Sequence, residues 1–175
     1  MIVLITIIQG CNTELRNYNK KNNRDFSDMT GEIMENEGFQ KLKSFTQHGN
    51  ISTYTHCLRV AKRSFNLARG LHLKTNEKEL LKGAMLHDYF LYDWHDHGDK
   101  LHGYHHPHIA LKNAERDFGL TKKEQNIVKS HMWPLTLTHV PKSREAVIVC
   151  IADKICSIEE TLKKDITRLK ELNIS

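Results

Sequence analysis

Six side chains in this sequence stand where a helical core has no need of them: His56, the adjacent pair His87 and Asp88, His106, His131 and Asp153. Each falls on or beside an apolar helix face, and each comes from a different helical segment except the adjacent pair. Burying one neutral imidazole without a partner costs about 1–3 kcal/mol, and an unpaired carboxylate costs more. Convergence on a divalent cation satisfies all six together. The donors are imidazole nitrogen and carboxylate oxygen without thiolate. That set suits iron, manganese, cobalt, nickel or zinc, and argues against copper–thiolate and iron–sulfur centres. Taken singly, each residue has a plainer reading. His56 can be a surface histidine of its helix, His87–Asp88 a charge pair at a helix C-terminus, and His106 a cap. Asp153 can pair with Lys154 or Arg144. The ordered set favours the metal.

Such a set needs a scaffold, and the periodicity of apolar residues predicts a helical one. A first helix is expected over 31–45. "NISTYTHCLRVAKRSFNLARG" forms a second, stopped by Gly70, with Tyr54, Leu58, Ala61, Phe65 and Ala68 on one stripe and His56, Val60 and Leu67 flanking it. "NEKELLKGAMLHD" forms a third, with Asn76 at its N-cap. Leu80, Ala84, His87 and Asp88 recur at helical spacing, so the His–Asp pair continues the buried face. Tyr89 to Gly103 reads as a loop. "HHPHIALKNAERDFG" forms the fourth helix, with Pro107 in its first turn, His106 near the N-cap and Gly119 as its stop. Thr121 and Glu124 form a capping box for the fifth, which ends before Pro134 and carries Ile127, Val128 and His131 on its inner face. The last helix begins near Ser143. Val147, Ile148, Ile151, Ala152 and Ile155 make its core stripe, and Asp153 lies on the neighbouring face with Ala146, Val149 and Cys150. The expectation is an all-α, single-domain bundle of about six helices over 31–175. A flexible or poorly ordered arm over 1–30 precedes it, because "NTELRNYNKKNNRDFSDMTG" is polar and shows little periodicity.

Composition narrows the partners. A hydrophobic content of 39% against 27% charged residues excludes a disordered chain. The net charge of +5 suits a small anion as well as nucleic acid. No long basic block interleaved with aromatics is present, which disfavours nucleic acid. The four cysteines form no CxxC pair, so a thiolate zinc site and a disulfide framework are unsupported and a reducing cytoplasm is expected. The apolar run Met1–Ile8 is too short to span a bilayer and lacks the basic stretch of a signal peptide, so no membrane partner is expected. Walker, GxGxxG, HExxH and GxSxG motifs are absent.

The order His56, His87–Asp88, His106, His131 and the late Asp153 in "IADK" resembles the HD superfamily of metal-dependent phosphohydrolases. The likeness runs from roughly His48 to Glu160. "LKGAMLHD" resembles that family's central helix end, "HHPHIA" its His-Pro segment and "IVKSHMWP" the helix that follows. The resemblance implies a bundle of the HD-domain type in which His56, His87, Asp88 and Asp153 hold one metal. In two-metal members His106 and His131 would hold the second, with Asp88 bridging. There are departures. The Lys that some relatives carry soon after the His–Asp pair is missing, and His131-Met132 stands where two-metal relatives often have His-His. The loop "YFLYDWHDHGDKLHGYHH" is this chain's own. His105 rivals His106, and His95, His97, His102 and His108 read as surface residues.

The implied reaction is hydrolysis of a phosphoester, of a nucleotide or another small phosphorylated metabolite. A divalent metal lowers the pKa of its bound water toward ~7, and two ions ~3.5–4 Å apart can hold both that nucleophile and a phosphate oxygen. Asp88 then counts among the catalytic groups. Asp93, His95 and Asp96 are candidates for the acid that protonates the leaving oxygen, or else loop-capping residues. Arg59 and Arg63 are candidates to pin the phosphate, or else solvated arginines. Two other readings compete: a di-iron oxygenase of the same superfamily and a non-catalytic nucleotide-sensing module.

Overall fold

Leu80, Leu81, Ala84, Met85 and Leu86 are all buried in α4 (Glu77–Leu86), around which the other long helices gather. The computed structural model describes residues 2–48, 50–94 and 101–171. Its further elements are α1 (Ile2–Glu35), α2 (Glu37–Gln40), α3 (Thr53–Gly70), α5 (His102–Phe118), α6 (Lys122–Ser130) and α7 (Arg144–Glu171). A 3-10 turn over Lys41–Ser44 leads into an antiparallel pair of short strands, β1 (Thr46–His48) and β2 (Ile51–Ser52). The all-α expectation holds. The described residues contain seven α-helices rather than about six, plus a hairpin that periodicity did not signal.

The starts of the helices follow local chemistry. The Ser52 hydroxyl accepts from Thr55 N–H at 3.2 Å and opens α3. The Asn76 side chain accepts from Glu79 N–H at the start of α4. Thr121 and Glu124 form the expected capping box of α6. α5 begins three residues earlier than "HHP" suggests, because Tyr104 and His105 already donate to the Leu101 carbonyl. Pro107 therefore sits inside the helix and His106 in its second turn, not at the cap. At Gly83 of α4 a Cβ would fall 2.7–2.9 Å from three side-chain carbons of Ile127, so only glycine permits this approach of α4 to α6. That contact brings the end of α4 beside the end of α6.

Where a loose arm was expected, the backbone is helical from Ile2 to Glu35. Phe26, Met29 and Ile33 pack on the core, Phe26 edge-on to Phe65. Arg69 of α3 donates to both Asn22 and Asp25. The apolar signal there is short and interrupted by polar residues, and it becomes legible only against the partner helices.

α7 presents a different face from the expected one. Ala146, Val149, Cys150, Asp153, Cys156 and Glu160 point inward, whereas Val147 and Ile151 are 45% and 49% exposed. Only Ile148 and Ala152 of the expected stripe are buried. A helix has one inner face, and here it is the one carrying two carboxylates that engage His56 of α3. Ile151→Ser is therefore expected to change stability by no more than about 0.5 kcal/mol, as at other surface sites. Val149→Ser, fully buried, should lose roughly 2 kcal/mol or more. Denaturant unfolding of the two variants checks the assignment, and the reverse order contradicts it.

Candidate metal centre

All six candidate donors are at most 6% exposed. His56 lies in the first turn of α3, His106 in the second turn of α5, and Asp153 near the middle of the inner face of α7. His87 and His131 cap the C-termini of α4 and α6, with Asp88 directly after. Asp88 sits between the rest. Its Oδ2 lies 3.4 Å from His87 Nε2 and 3.8 Å from His56 Nε2. Its Oδ1 lies 3.2 Å from His106 Nε2 and 3.4 Å from His131 Nε2. Asp153 Oδ1 closes the first side, 3.1 Å from His56 Nε2 and 3.6 Å from His87 Nε2. Two groups result, His56–His87–Asp153 and Asp88–His106–His131, each with its ligand atoms within 4.8 Å of one another. The two oxygens of Asp88 face one group each.

The outer nitrogens decide the tautomers. His87 Nδ1 donates to the Ala84 carbonyl at 2.7 Å, His106 Nδ1 to His102 O at 2.8 Å, and His131 Nδ1 to Val128 O at 2.7 Å. A carbonyl can only accept, so these rings carry their proton on Nδ1 and, when neutral, aim an Nε2 lone pair inward. His56 Nδ1 points at Glu160 Oε2 at 2.9 Å. His106 and His131 face each other Nε2 to Nε2 at 2.8 Å, which two bare lone pairs do not tolerate. His87 Nε2 and Asp88 Oδ1 are buried without a hydrogen bond. Nitrogen lone pairs and carboxylate oxygens converging in this way fit a divalent transition metal, and backbone carbonyls holding the far side of the rings are the usual support for such ligands.

The family model described as HD domain matches residues 53–158, more than half of the chain. The chain belongs to the HD-domain family. No curated protein and no solved structure matches it. The matched stretch of this HD domain holds all six donors but neither of two residues that brace them, Gln47 and Glu160.

Gln47, buried in β1, donates from Nε2 to Asp88 Oδ2 at 2.6 Å, and the Thr53 hydroxyl donates to its Oε1 at 3.3 Å. Sequence reasoning missed it, since a hairpin glutamine gives no periodic signal. Glu160 was also missed. It lies seven residues beyond Asp153, two turns along the same face of α7, and that spacing could have found it. The other candidates are placed differently. Arg59 pairs with Glu159 and Glu160, and Arg63 with Glu159. Neither is in the described lining of the cavity of about 860 Å³ over the HD centre, and the α7 glutamates take their charge. Asp93 is half-buried and also absent from the described lining. His95, Asp96 and His97 lie outside the described residues. His105 is exposed while the His106 ring turns inward, and His108 is exposed beside His139. His102 does line the cavity, stacked on Trp94, with its Nδ1 2.9 Å from the Tyr92 hydroxyl.

Electrostatics show what the HD centre does without an ion. Burial pushes His56 down, but the carboxylates of Asp153 and Glu160 outweigh it and raise the ring to about 10. His87 is likewise lifted well above its ordinary value, with the charge of Asp88 overcoming burial. Burial opposes ionisation of Asp88, yet His87 and His106 hold it well below the carboxylate range. Asp153 is held low by His56 and His87 against the same penalty. His131 moves the other way, because burial dominates. The buried carboxylates thus favour positive charge at this side of the centre. A raised His value stabilises the fold fully below its ordinary 6.5, and the contribution disappears as pH climbs through about 10. Chelator-treated protein should therefore melt at progressively lower temperature from about pH 7 to 10, and metal loading should remove most of that decline. A flat melting profile of chelated protein over this range contradicts the reading.

Proposed function

We propose that this HD domain is a metal-dependent phosphohydrolase, cleaving a phosphoester of a nucleotide or another small phosphorylated metabolite with metal-activated water. The observation that carries the reading is a single carboxylate, Asp88, shared between two buried ligand groups at the floor of a cavity large enough for such a substrate. His56, His87, Asp88 and Asp153 would hold one divalent ion, and Asp88, His106 and His131 the other. Bound there, the metal supplies hydroxide at neutral pH and a counter-charge for phosphate oxygens. The residues of the chain do the positioning. Glu160 and the carbonyls of Ala84, His102 and Val128 fix the imidazole rings, and Gln47 fixes Asp88. Burial keeps bulk water from the four rings.

Metal analysis of the purified protein, beside a phosphate-release screen over nucleotides and phosphosugars, tests the proposal. Retained divalent metal and phosphate release, both lost in His87→Ala, are the expected results. Turnover that requires dioxygen and releases no phosphate would replace the hydrolase by a di-iron oxygenase. Ligand binding without any turnover by the metal-loaded protein would replace it by a sensing module.

A further inference from the structure

The wall of the cavity above the metal centre is chemically lopsided. Lys154, the residue after Asp153, lines it, and its Nζ donates to two backbone carbonyls, His131 O at 3.0 Å and Cys150 O at 3.4 Å. Among the described residues no carboxylate pairs with it. An ammonium held only by neutral carbonyls keeps its charge available to an anion. Two other polar side chains of the wall are turned to the centre itself: Gln47 donates to Asp88, and the Ser157 hydroxyl to Asp153 at 3.4 Å. His102 also lines it, its ring stacked on Trp94 and its Nδ1 against the Tyr92 hydroxyl; the rest of the described wall is apolar, made by Trp94, Met132, Pro134, Leu135 and Ile158. Leu135 and Ile158 are 44% and 60% exposed, so apolar surface is presented at the mouth.

A cavity of about 860 Å³ takes a body much larger than a phosphate group. We propose that it selects a phosphate monoester with an apolar or aromatic body, Lys154 pairing with a phosphoryl oxygen and the apolar wall covering the alcohol-derived part. This rests on the hydrolase reading and narrows it. A polyphosphate brings further negative charges for which the described wall offers no second free cation. A sugar phosphate brings hydroxyls that would lose water against Met132, Pro134 and Leu135 without gaining hydrogen bonds.

Two non-hydrolysable ligands of equal charge test this by calorimetry on manganese-loaded protein: phenylphosphonate and 2-hydroxyethylphosphonate. The phenyl ligand is expected to bind at least tenfold more tightly. The double change Leu135→Gln/Ile158→Gln, at exposed positions, should erase that preference and leave 2-hydroxyethylphosphonate affinity within about threefold of wild type. Lys154→Met should weaken both ligands tenfold or more with manganese content unchanged, and Lys154→Arg should restore them. Equal affinities in the wild type overturn the selection. Full affinity in Lys154→Met, or loss of manganese from it, overturns the role of the ammonium. Phosphonates are not turned over, so these results stand apart from catalysis. A selective binder that releases phosphate from no ester defeats the hydrolase reading alone, and a hydrolase without this preference defeats the selection alone.

Discussion

Asp88→Asn is expected to empty the centre of metal and to abolish the proposed phosphate release while the helical bundle stays folded. The change is isosteric, so packing is kept, but one of two oxygens becomes an NH2 group. Whichever way the amide turns, it sets a donor either against His56 and His87 or against His106 and His131, where a shared acceptor had faced two Nε2 atoms on each side. Turning the NH2 toward Oδ2's place also opposes the amide of Gln47, which donates there at 2.6 Å. Both ligand groups lose the charge of Asp88, the first keeping only Asp153, and among the described residues no other carboxylate lies between them. The expected readout is metal content below about a tenth of wild type and no detectable phosphate release, beside an unchanged helical circular dichroism spectrum. Metal content and turnover near wild-type levels would remove Asp88 from the bridging position and take the two-ion arrangement with it.

The legible part of this centre was the part that sits on helix periodicity. His87 and Asp88 follow α4 in phase with Leu80 and Ala84, and His131 follows Ile127 and Val128 of α6 in the same way. Their convergence is a consequence of which helix faces are apolar. α7 resisted the same reading because two of its faces are apolar. Its residues Val147 and Ile151 compete with Val149 and Cys150 for the interior, and the decision falls to the pairing of Asp153 and Glu160 with His56, a contact across a hundred residues of chain. Arg59 and Arg63 were expected to face substrate because they lie near His56 in sequence. They point instead to Glu159 and Glu160, which no local pattern links to them. Gln47 was beyond reach for another reason, since a glutamine on a short hairpin has no pattern to violate. His106 and His105 could not be told apart until the start of α5 was fixed at His102.

Glu160→Gln is expected to lower metal affinity about 10- to 100-fold without removing a single ligand. The wild-type carboxylate is buried, accepts from His56 Nδ1 through Oε2, and meets Arg59 Nη1 through Oε1 at 2.9 Å. A glutamine oxygen can keep the ring oriented, but it carries no charge to make Nε2 a stronger donor to a cation. The same loss weakens the hold on the proton in the metal-free protein. His56, raised to about 10 chiefly against burial by Asp153 and Glu160, should then titrate closer to its ordinary 6.5. Two measurements follow from one cause: chelator competition for the affinity, and imidazole NMR of chelated protein for the titration. Both should move together in Glu160→Gln. Glu160→Ala, which also leaves His56 Nδ1 without an acceptor and frees one Arg59 partner, should lose stability as well as affinity. If the glutamine variant keeps wild-type affinity and His56 titrates as before, Glu160 is a packing and ion-pair residue of the α3–α7 contact and has no part in tuning the centre.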